Sequence, residues 1–110
     1  MNNEINLAMV KGDTKKFTVE ISGLTEPLKS CYFSVKKQYY DDNYVFQKSL
    51  KNGITEIEPG KIRVRIAPED TITEELGVYL YDLQIGIGDD IYTVMRGELK
   101  IVYEITEENK

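Results

Sequence analysis

Apolar and polar residues alternate with a period of two along most of this chain, a spacing that suits strands and excludes long amphipathic helices. Ile62, Val64 and Ile66 alternate with Lys61, Arg63 and Arg65. Successive side chains of a strand point to opposite faces, so this segment has one apolar face and one strongly basic face. The same alternation runs through Ile5, Leu7 and Met9, through Phe17, Val19 and Ile21, and through Cys31, Phe33 and Val35. It is longest at Tyr79, Tyr81, Leu83, Ile85 and Ile87. In the last segment Ile91, Met95, Leu99, Ile101 and Tyr103 hold one phase and Tyr92 and Val94 the other, which predicts two partly covered faces. Gly97, where that pattern changes, predicts a bulge or a bend.

Turn chemistry separates the alternating runs. Lys11-Gly12-Asp13-Thr14, Asp41-Asp42-Asn43, Asn52-Gly53 and Gly88-Asp89-Asp90 are polar and rich in residues that tolerate positive φ. Glu58-Pro59-Gly60-Lys61 fits a type II turn, in which proline presets the second position and glycine takes the positive φ of the third. Pro68 ends the Ile62–Ile66 strand, and Thr71-Ile72-Thr73-Glu74 matches a capping box for a short helical turn that Gly77 would terminate.

Seven to eight short strands at this spacing indicate a sandwich or a small barrel. Tyr79 and Tyr81 tip the expectation toward an immunoglobulin-like antiparallel β-sandwich. In such domains a tyrosine opening the penultimate strand bonds back to the preceding loop, two residues before a core position. With 110 residues, a single domain over 1–110 is expected, with residues 105–110 as a frayed tail.

Composition narrows the chemistry. The chain contains no histidine and one cysteine, so His-based acid–base catalysis, catalytic triads and an internal disulfide are excluded. Cys31 shares the phase of Phe33 and Val35 and reads as an inert core thiol. A net charge of -5 without a basic cluster argues against nucleic-acid partners. No apolar run is long enough to span a bilayer, and Met1-Asn2-Asn3-Glu4 lacks the charge of a secretory signal, so synthesis in a cytoplasm and no membrane partner are expected. The carboxylates at Asp41-Asp42, Glu69-Asp70, Glu74-Glu75 and Asp89-Asp90 lack calcium-loop spacing and read as solvated loops. Gly86-Ile87-Gly88 reads as a hairpin end and Lys11-Gly12-Asp13 as a turn rather than an adhesion tripeptide. No cofactor, metal or catalytic residue is expected. Tyr39, Tyr40 and Tyr44 flank an acidic loop and, with Arg63 and Arg65, are the candidate contact surface, since tyrosine is rigid and amphipathic at interfaces.

The order of segments carries a resemblance. Lys11-Gly12-Asp13-Thr14 before Phe17-x-Val19, then Phe33-Ser34-Val35-Lys36-Lys37, Phe46-Gln47-Lys48, Ala67-Pro68-Glu69-Asp70-Thr71, Gly77-x-Tyr79-x-Tyr81-Asp82-Leu83-Gln84-Ile85 and Gly97-x-Leu99-x-Ile101 resemble small proteins of phages and prophages of Gram-positive bacteria, and the N-terminal domain of upper baseplate proteins. The resemblance implies a non-enzymatic tail or baseplate component, located in the virion and bound to other tail or baseplate proteins or to further copies of itself. A module that binds surface carbohydrate or a receptor through Tyr39, Tyr40 and Tyr44 is the alternative expectation.

Overall fold

Strands pair across the sheet wherever the sequence alternates, and the computed structural model describes them over residues 4–103. The expected frayed tail, residues 105–110, lies outside the described residues. The elements are β1 (Leu7–Val10), β2 (Lys15–Glu20), β3 (Ser30–Lys36), β4 (Phe46–Leu50), β5 (Gly53–Glu58), β6 (Lys61–Ile66), α1 (Pro68–Thr71), β7 (Gly77–Ile87) and β8 (Asp90–Val102). They form one eight-stranded sheet in the order β1-β8-β7-β3-β4-β5-β6-β2, nearly closed into a barrel.

The protein is therefore all-β, but the sheet is mixed rather than purely antiparallel. β1 runs parallel to β8, and β4 parallel to β5. Both departures come from connections that do not fold a strand back onto its predecessor. The turn after β1 carries the chain to the opposite end of the sheet, where β2 pairs with β6; β1 is left to pair with the last strand, which runs its way. At Asn52-Gly53 the chain steps sideways instead of reversing. The Ser49 and Asn52 N–H groups each donate to the other's carbonyl, at 3.0 and 2.9 Å. Lys51 takes φ 67, and the strand resumes in the same direction. Pro59-Gly60 does reverse the chain, with Gly60 at φ 89.

The helical turn begins earlier than the capping-box pattern implies. Pro68 opens α1, and the Asp70 carboxylate accepts the Ala67 N–H at 2.7 Å. Thr71 is unavailable as a cap because it is fully buried, its Oγ1 accepting the Gly12 N–H at 2.9 Å. That bond pins the β1–β2 turn to α1.

β8 contains the irregularity that its two-phase pattern encoded. Leu83 faces Met95 while Gln84 faces Thr93, so Val94 is the extra residue of a bulge. The bulge reverses which face the odd and even positions occupy. Gly97 is not at the bulge. It permits a close approach, because a Cβ there would clash with the Ile5 carbonyl oxygen. Ile5 accepts the Tyr81 hydroxyl and donates its N–H to the Arg96 carbonyl at 2.9 Å. Gly97→Ala should force this N-terminal segment away and cost about 1–3 kcal/mol, visible as a lower urea midpoint at unchanged slope.

The core lies inside the curl. Cys31, Phe33 and Val35 of β3, Ile62, Val64 and Ile66 of β6, and Tyr79, Tyr81, Leu83 and Ile85 of β7 are all buried in it. The Tyr79 hydroxyl donates to the Glu75 carbonyl at 2.6 Å, so the expected backward bond to the preceding loop is present. Burial, the largest influence on both, raises the Tyr79 hydroxyl above its usual pKa and pushes that of Tyr81 up to about 12. A raised folded-state pKa means that the neutral form is preferred on folding. Its contribution is complete below the unfolded value near 10 and lost as pH rises toward 12. Unfolding free energy should therefore fall across that alkaline window, and Tyr81→Phe should flatten the fall.

Candidate functional site

The polar phase of the central strands faces outward and forms the floor of a trough. Cross-strand register aligns Gln47 of β4 with Ser34 of β3, Ser34 with Asp82 of β7, and Asp82 with Arg96 of β8. A neighbouring row runs from Ser49 through Tyr32 and Gln84 to Thr93. The alternation that buries Phe33 and Leu83 is what turns Ser34 and Asp82 outward. Glu4 and Asn6 close one side of this trough, and Tyr39 and Tyr44 stand at its other end. The trough encloses about 1110 Å³ and is open to solvent.

Asp82 lies in its floor, half-buried, and its carboxylate makes no hydrogen bond or ion pair with another described side chain or backbone group. Desolvation, the largest influence, raises its carboxyl above the usual range, and the fields of Lys36 and Arg96 oppose that shift. Lys36 sits over the Tyr44 ring, 5.3 Å from its centroid, and Arg96 leans toward Glu4 at 3.8 Å. Gln47 Nε2 donates to Ser34 Oγ at 2.9 Å. The cations therefore flank Asp82 without touching it.

The five residues expected to form one contact surface are divided. Tyr39 and Tyr40 are 79% and 71% exposed in the β3–β4 loop, with their rings edge-to-face at 5.5 Å. Tyr39 and Tyr44 face the trough, whereas Tyr40 does not line it. Arg63 and Arg65 lie on the exposed face of β6, opposite Thr18 and Lys16 of β2. Two strands separate β6 from β3. Spacing within one strand could not show this division, because it depends on which strands become neighbours.

A second feature lies where the curl fails to close. β1 and β2 are the two outer edges of the sheet, joined at one end by their turn. Toward the other end the gap between them is apolar, lined by Leu7, Phe17, Val19, Ile21, Tyr92 and Val94 among others. Tyr92 and Val94 reach it because of the bulge in β8.

Comparison with protein-family models and with curated proteins finds no match to this chain.

Among the described residues no three Cys, Asp or Glu side chains converge on a metal position. In the acidic loop, the Asp41 carboxylate instead accepts the Gln38 N–H at 3.0 Å. Cys31 is buried, and burial, reinforced by Glu56, pushes its thiol up to about 12. Nucleophilic chemistry needs the thiolate, and this thiol stays protonated at neutral pH. No helix among the described residues is long and apolar enough to cross a membrane.

Tyr32, Ser34, Asp82, Gln84 and Arg96 were not singled out by sequence reasoning. Their only signal was membership of the polar phase of strands whose apolar phase is core.

Proposed function

We propose that the protein is a non-enzymatic structural or assembly component of a phage tail or baseplate, acting in the virion through contacts with other tail proteins. The observation that carries this reading is the pair of sheet edges, β1 and β2, which have no further strand partner among the described residues and flank an apolar gap. A free edge offers backbone donors and acceptors to a partner strand, and side-chain pockets beside it add affinity and selectivity. The order of sequence segments supports the choice of tail proteins as partners. The protonated Cys31 thiol and the lack of histidine support a role without catalysis.

The immunoglobulin-like reading belongs to the same proposal. The curled sheet divides at the Ser49–Ile54 step into β1-β8-β7-β3-β4 and β5-β6-β2. Phe17 of β2 meets Phe33 of β3 edge-on at 5.6 Å across that division, as facing layers of a sandwich would. The Tyr79 hydroxyl bond to Glu75 supports it further.

Affinity capture from lysates of induced lysogens, read by mass spectrometry, tests the reading. Tail or baseplate subunits should be recovered with the wild-type chain and lost with Tyr92→Glu, which puts a charge in the apolar gap. Recovery of no tail or baseplate subunit by the wild type would overturn it.

A further inference from the structure

We propose that the trough across β4, β3, β7 and β8 binds a neutral oligosaccharide, whose hydroxyls would engage Asp82, Arg96, Gln84 and Gln47 while a ring face rests on Tyr32. This binding does not depend on the tail reading.

Charge selects the ligand class. Asp82 sits in the floor with its acceptor capacity unused by the described residues. A cationic ligand reaching it would meet Lys36 and Arg96. An anionic one would meet Asp82, Glu4 and Glu98 at the trough walls, in a chain of net charge -5. A neutral donor meets neither penalty. Hydrogen bonds from neutral hydroxyls to an ionised partner are roughly twice as strong as those between neutral groups, so Asp82 and Arg96 favour a ligand that can both donate and accept. Sugar hydroxyls do both.

Spacing and shape agree. Adjacent strands stand about 4.8 Å apart, so Gln47, Ser34, Asp82 and Arg96 present polar groups at regular steps across the sheet. An extended, repeating ligand can use such a row. Tyr32 is exposed beside it, and Tyr39 and Tyr44 stand at the rim, offering aromatic faces for the apolar faces of sugar rings. A trough of about 1110 Å³ exceeds the roughly 300–1,000 Å³ of small-molecule sites and takes several rings. Asp82 lies on β7 between β3 and β8, so its backbone is fixed before a ligand arrives, which reduces the ordering cost of binding.

NMR titration of the isotope-labelled full chain with neutral oligomers of glucose, galactose, rhamnose and N-acetylglucosamine, and with an oligouronate as the charged comparison, tests the proposal. At least one neutral oligomer should saturably shift the amides of Tyr32, Ser34, Asp82, Gln84 and Arg96, with the oligouronate weaker. Asp82→Ala and Tyr32→Ala should each weaken binding about tenfold or more, with thermal melting retained. Asp82→Asn, which keeps the shape and removes the charge, should weaken binding by a smaller factor and guards against misfolding of the alanine variant. The proposal is overturned if no neutral oligomer shifts these amides at millimolar concentration, if the shifts map elsewhere, if the oligouronate binds better, or if both Asp82 variants bind like the wild type.

Discussion

Asp70→Ala is expected to lower the free energy of unfolding by about 3–5 kcal/mol. Asp70 and Lys48 form an ion pair at 2.7 Å with each side chain only 13% exposed. Lys48 belongs to the inward phase of β4, since it lies opposite Phe33, and its ammonium also sits over the Phe46 ring. Removing the carboxylate strands that charge in an apolar setting and frees the Ala67 N–H at the start of α1. For a domain of this size each kcal/mol shifts the melting temperature by roughly 4–8 °C, so calorimetry should show a fall on the order of 15 °C or more. The double variant Lys48→Met with Asp70→Ala should recover part of the loss, because the stranded charge is gone. A double-mutant cycle with no coupling between the two positions would contradict this account.

Phe33→Ala should cost a similar amount, about 3–5 kcal/mol, for a different reason. Phe33 is fully buried, with ring centroids of Phe17, Phe46 and Tyr81 at 5.6, 6.3 and 5.3 Å. These rings come from β2, β4 and β7, so the cavity left behind is walled by three separate strands and collapses poorly. Phe33→Leu keeps much of the volume and should lose less. Chemical denaturation of the two variants beside the wild type measures the difference.

Which parts of the fold were legible in the sequence follows from the range of each determinant. Phase within a strand is local, and the buried set Ile62, Val64 and Ile66, or Tyr79, Tyr81, Leu83 and Ile85, matches the alternation. The backward bond of Tyr79 spans four positions and was legible for the same reason. The direction of β1 against β8 was not, because it depends on where the chain goes after Lys11-Gly12-Asp13-Thr14. The start of α1 was displaced because a capping pattern at Thr71 competes with Pro68, and the distant Gly12 N–H settled the competition. Lys48 points inward against its polarity only because Asp70, on another element, meets it. The trough is of the same kind: Gln47, Ser34, Asp82 and Arg96 come from four strands, and only the pairing register makes them one surface.

The placement of β1 and β2 at the two ends of the sheet bears on the order in which the molecule can assemble. Leu7 pairs with Leu99, and Phe17 with Val64. As the chain leaves the ribosome, the first strands wait without partners while β3, β4 and β5 are made; β2 can dock once β6 has emerged, and β1 only after β8. Pairings between distant segments are slow to form, and unpaired strand edges expose intermediates to aggregation. Of the described strands, β1 is thus made first and secured last, and slow translation through β8 would leave the β1 edge exposed for longest.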